Sequence, residues 1–76
     1  SMMNDFPYEY LDHISKIEII EAQARQLEIE HFSLSLIEPS KLGNTDQHVA
    51  WRAQKVNLES AIMKVRDMLQ RVREEE

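Results

Sequence analysis

One short stretch, Glu38-Pro39-Ser40-Lys41-Leu42-Gly43-Asn44, holds the only cluster of turn-forming residues inside this chain. It contains the one glycine and one of the two prolines of a 76-residue sequence. On either side no helix breaker interrupts the pattern. Pro7 falls where a first helical turn accepts proline, because its missing N–H would have no intrahelical partner there. Two long helices joined by one short connection pack as antiparallel neighbours. The expected fold is therefore all-α, an antiparallel two-helix hairpin of coiled-coil-like character, forming a single domain over residues 1–76.

Local signals place the helix ends. Asp5 can cap a helix starting near Phe6 or Pro7, with Glu9 close to its positive end. Pro39 biases Glu38 away from helical dihedrals, so helix one is expected over about 6–37. The turn then covers 38–45, with Asn44 or Thr45 as the next cap. Helix two is expected over about 46–73, with Asp46 in its first turn and Arg71 and Arg73 near its end.

Apolar periodicity supports the hairpin. In helix one, Phe6, Tyr10, His13, Ile17, Ile20, Ala24, Leu27, His31 and Leu34 follow alternating steps of four and three. Trp51, Leu58, Ile62, Val65, Leu69 and Val72 make the matching seam in helix two, with Lys55 as a gap and Ala61 and Met68 widening the stripe. Pairing the helices symmetrically about the turn sets Ile20 near Ile62, Ala24 near Leu58 and His31 near Trp51.

A second apolar stripe is left over on each helix. Helix one carries Leu11, Ile14, Ala22, Ile29, Phe32 and Leu36, and helix two carries Val49, Ala53, Val56 and Met63. Two helices alone cannot cover both stripes of both helices, and large exposed apolar patches mark interaction sites. The expected partner-binding residues are Ile29, Phe32, Leu36, Val49, Ala53, Val56 and Met63. Trp51 is a further anchor or, equally, a plug for the end of the core.

Catalytic equipment is not expected. His13, His31 and His48 are too far apart in sequence for two to share a helical turn as a zinc motif requires. Glu9, Asp12 and His13 could converge on a metal but read better as a capping turn beside a seam histidine. No serine has a neighbouring base or a glycine-rich elbow, and no phosphate-cradling loop is present. The expectation is a non-enzyme without cofactor or metal. Nine Lys and Arg against 14 Asp and Glu give a net charge of −5, unlike a surface that displaces counterions from nucleic acid. No apolar run approaches the length of a membrane span, and the N-terminus lacks a basic region followed by a hydrophobic one. The chain is expected to stay in the compartment where it is made, and the absence of cysteine fits a reducing one.

The stretch Gln47-His48-Val49-Ala50-Trp51-Arg52-Ala53-Gln54-Lys55-Val56-Asn57-Leu58-Glu59-Ser60-Ala61-Ile62 resembles the small needle co-chaperones of bacterial type III secretion systems, the YscE-like family. The similarity is closest at Trp51-Arg52 and at Leu58-Glu59-Ser60-Ala61-Ile62. The resemblance implies a cytoplasmic bacterial protein that binds and stabilises a larger helical-repeat chaperone, which together with it keeps the needle subunit soluble before export. No individual residue of helix one is carried over from the family, so the binding residues there rest on periodicity. Two other readings stay open: a secreted WXG-like helical hairpin, and a small regulatory hairpin that self-associates. Ile29, Phe32, Leu36, Val49, Ala53 and Val56 lie toward the turn end and are expected to form one exposed apolar patch there. The free chain is expected to form a homodimer that buries Ile29, Phe32, Val49, Ala53 and Val56 of this patch.

Overall fold

The computed structural model describes residues 12–43 and 45–75. They form two helices, α1 over His13–Ser35 and α2 over Thr45–Glu74, packed along each other, with no strand among the described residues. The molecule is an elongated all-α hairpin of 52 × 19 × 15 Å.

Among the described residues helix α1 begins at His13, and the expected start near Phe6 lies outside them. Asp12 is extended (φ −68°, ψ 166°) and acts as the N-cap. The Ser15 N–H donates to Asp12 Oδ1 at 2.9 Å and the Ser15 hydroxyl donates to Oδ2 at 3.0 Å. Both oxygens of one carboxylate thus close the first turn, satisfying an N–H that no intrahelical carbonyl could reach. The expected cap at Asp5 lies outside the described residues.

At its other end α1 tightens. The Leu36 N–H is shared between the Phe32 and Ser33 carbonyls, and the Ile37 N–H donates to Leu34 O at 3.2 Å. Such shorter-range bonds satisfy the last carbonyls before Pro39 forbids a further turn. Gly43 then takes φ +90°, a left-handed conformation that favours glycine, and α2 starts two residues later. Asp46 sits in its first turn, and Arg71 and Arg73 in its last, each opposing the local helix-dipole charge.

The core follows the two seams. Ile20, Ala24, Trp51, Ile62, Val65 and Val72 are buried. Ile20, Ala24, Val65 and Val72 form one cluster, with Ile17, Leu27, Met68 and Leu69 packed against it. Lys55, the gap in the seam, is half-buried with its ammonium 5.0 Å from the centre of the Trp51 ring. Its methylene stem fills the apolar position while its charge rests on the indole.

The helices slide past each other relative to the symmetric pairing. His31 meets Glu59 at 2.9 Å rather than Trp51. Glu28 meets Arg66 at 2.6 Å and Glu21 meets Arg73 at 3.6 Å, while Ala24 joins Val65 and Val72 instead of Leu58. These ionic partners on α2 therefore lie 8 to 12 residues, about two to three helical turns, farther along than the symmetric register places them. The connection explains the shift. It runs beside the start of α2, where Glu38 accepts from His48 Nε2 at 3.0 Å, and Trp51, one turn on, reaches the Leu34 carbonyl of α1.

Candidate protein-binding surfaces

Outside the seam both helices keep large apolar side chains in solvent. Ile29, Phe32, Leu36, Val49, Val56 and Met63 are each more than half exposed, and Ala53 is exposed as well. The apolar residues of α1 lie on two opposite sides, so they nearly cancel as an amphipathic pattern, whereas in α2 the seam outweighs the apolar residues opposite it.

These residues do not form one patch. With about 100° between successive residues, Ile29 and Leu36 lie roughly opposite the α1 seam, and Val49 and Ala53 roughly opposite the α2 seam. The two sets therefore face away from each other, one on each flank of the hairpin. On the α1 flank Ile29 and Phe32 line a depression with Arg25 and Glu28. On the α2 flank Val49, Ala53 and Val56 line another with His48, Arg52 and Asn57. Met63 sits apart from both, beside His31, Glu59 and Arg66. The sequence placed both sets toward the turn, which is correct along the axis. Only the packing decides that they point in opposite directions.

Ile29 also borders a groove between the helices. There it joins Leu34, Ile37 and Leu58, with Gln26, Ser33, Gln54 and Asn57 along the walls.

Trp51 differs from the other seven candidates. It is buried, and its indole N–H donates to Leu34 O at 2.8 Å. The His48 ring packs against it with centroids 5.3 Å apart and planes tilted by 48°. Its surface is spent inside the hairpin, closing the turn end of the core.

The cluster of Glu38, His48, Trp51 and Lys55 escaped the sequence reading. Its signal was present as steps of three and four from His48 to Trp51 to Lys55, which put all three on one side of α2. Glu38 could be added only once the path of the connection was known. The hydrogen bond from His48, aided by the nearby charges of His48, Lys41 and Lys55, holds the Glu38 carboxyl below its ordinary value, against a smaller opposing effect of desolvation. The Asp12 carboxyl is likewise lowered, first by the Ser15 N–H and then by the Ser15 hydroxyl.

Among the described residues no three His, Cys, Asp or Glu side chains gather as metal ligands, and no helix is long and apolar enough to cross a membrane. Glu9, the remaining member of the metal combination considered above, lies outside them. No family model matches this chain, and neither a curated protein nor a solved structure does.

Proposed function

We propose that the hairpin acts by binding, as a small cytoplasmic co-chaperone of a bacterial type III secretion system. In this reading it docks on a larger helical-repeat chaperone and stabilises it, and through that complex the needle subunit stays soluble until export. The observation that carries the proposal is the apolar surplus on the outer flanks. A chain that can bury only one stripe per helix presents Ile29, Phe32 and Leu36 on one side and Val49, Ala53 and Val56 on the other. A protein partner removes such surface from water at about 25 cal/mol per Å². The resemblance of the Gln47 to Ile62 stretch to needle co-chaperones directs the choice of partner. A subunit built to polymerise must have its polymerising surface masked, and a hairpin that completes the masking chaperone supplies area the chaperone lacks.

Because the candidates divide between two flanks, the partner either embraces the hairpin or uses one side. Co-expression with the candidate chaperone, followed by pull-down of the parent chain, Phe32→Ala, Val56→Asp and the exposed control Lys64→Ala, separates these arrangements. Truncation of a central aromatic contact is expected to cost about 2 kcal/mol, roughly thirtyfold in affinity. Lys64→Ala should bind as the parent does. Failure of the folded parent chain to bind the chaperone removes the assignment. Parental binding by a folded Val56→Asp variant moves the contact to the α1 flank.

A further inference from the structure

We propose that the free chain pairs with a second copy of itself, the two α1 helices lying antiparallel along their outward stripes with the dyad near Ala22. The proposal concerns α1 alone and does not depend on the identity of any larger partner.

The outward stripe of α1 reads Ile14, Glu18, Ala22, Arg25, Ile29 and Phe32, spaced by four, four, three, four and three. This is the repeat of a helix–helix seam, set on the side away from α2. All six residues are exposed, including Ile14 at 68%, Ile29 at 59% and Phe32 at 65%. The stripe holds two charges of opposite sign. The neighbouring carboxylates Glu21 and Glu28 reach across to Arg73 and Arg66. Glu18 and Arg25 have no such partner among the described residues.

Their positions are self-complementary. Glu18 lies four residues before Ala22 and Arg25 three after it, so an antiparallel copy centred near Ala22 brings Glu18 of each chain to Arg25 of the other. The same register sets Ile14 beside Ile29 of the second copy, with Phe32 on the same stripe just beyond that pair. Ala22, small and central, lets the helix axes approach to about 8 Å, the close end of ordinary helix packing. A parallel pair would instead set Glu18 against Glu18 and Arg25 against Arg25, which like-charge repulsion disfavours. One stripe that matches itself under a two-fold axis is what an isologous dimer requires.

Sedimentation equilibrium of the whole chain tests the arrangement, with circular dichroism confirming that each variant keeps its helices. The parent chain should dimerise. Glu18→Lys and Arg25→Glu should each weaken self-association about tenfold, since each turns two attractive pairs into repulsive ones. The double variant carrying both changes should recover the parental affinity, and an equimolar mixture of the two single variants should associate more tightly than either alone. Phe32→Asp should weaken the dimer, and Val56→Asp, on the opposite flank, should leave it unchanged. A parent chain that stays monomeric at roughly 1 mM overturns the proposal. So does a double variant as weak as the single ones, or a dimer lost with Val56→Asp and kept with Phe32→Asp.

Discussion

The indole N–H of Trp51 donates to the carbonyl oxygen of Leu34 at 2.8 Å, so the second helix caps the end of the first. The Leu34 carbonyl is one of the last in α1 and already accepts from the Ile37 N–H at 3.2 Å, so the indole supplies its second hydrogen bond. One buried side chain on α2 thus ties itself to the backbone of α1, closes the core, and forms the surface on which His48 and Lys55 rest. The turn is held by tertiary contact as well as by the residues within it.

Replacing Trp51 should separate these contributions. Trp51→Phe keeps most of the buried ring and loses the hydrogen bond, for an expected cost of about 1 kcal/mol. Trp51→Ala also opens a void at the turn end and should cost about 3–5 kcal/mol, a large share of the stability of a small domain. Urea unfolding followed by circular dichroism reads both. An alanine variant with the parental midpoint would show that the indole does not hold the turn.

Ile20 is 1% exposed and Met63 is 71% exposed. Ile20→Ala should therefore destabilise by about 2–5 kcal/mol, whereas Met63→Ala should stay within about 0.5 kcal/mol of the parent. Melting temperatures at low protein concentration make the comparison. Similar losses at both positions would mean that the helices pack through different faces.

Acid should weaken the hairpin through Glu38 and Asp12. Both carboxyls are held below their ordinary values in the folded chain, Glu38 by the hydrogen bond from His48 and Asp12 by the Ser15 N–H. A lowered folded value means that the folded state binds fewer protons than the unfolded one in that range. The stabilisation is thus complete above the unfolded value and lost as pH falls through the folded one. Unfolding midpoints should decline from about pH 5 downward, and Glu38→Gln together with Asp12→Asn should flatten that decline. An equally steep fall in the double variant would place the acid sensitivity in other groups.

Gly43 has φ +90°, and a methyl group added there would meet nothing within 4 Å. The cost of Gly43→Ala is then backbone strain alone, about 1–2 kcal/mol, or roughly 4–8 °C in melting temperature per kcal/mol for a domain of this size. Gly43→Asn should cost less, since asparagine enters the left-handed region more readily. Calorimetry on the three chains checks the order.

The seams were legible in the sequence because a helix repeats its faces every three or four residues whatever it packs against. Ile20, Ala24, Ile62, Val65 and Val72 were read as core from spacing alone, and all are buried. The surplus stripes were legible for the same reason. The start of α1 was less so. Asp12 was read only as part of a capping turn beside Glu9 and His13, and its bond to the Ser15 N–H became visible with the structure.

Periodicity by itself determined that this chain makes two helices, which residues face the seam, and that apolar side chains remain outside it. Those are properties of one helix at a time, fixed by the angle between successive residues. Only the tertiary structure decided the register, the burial of Trp51 and the division of the surplus between two flanks. Each depends on how the Leu36 to Gly43 connection runs along the start of α2, and a seam that repeats every seven residues fits its partner nearly as well one or two turns away. The contacts of Glu38 with His48 and of Trp51 with Leu34 select one of those fits.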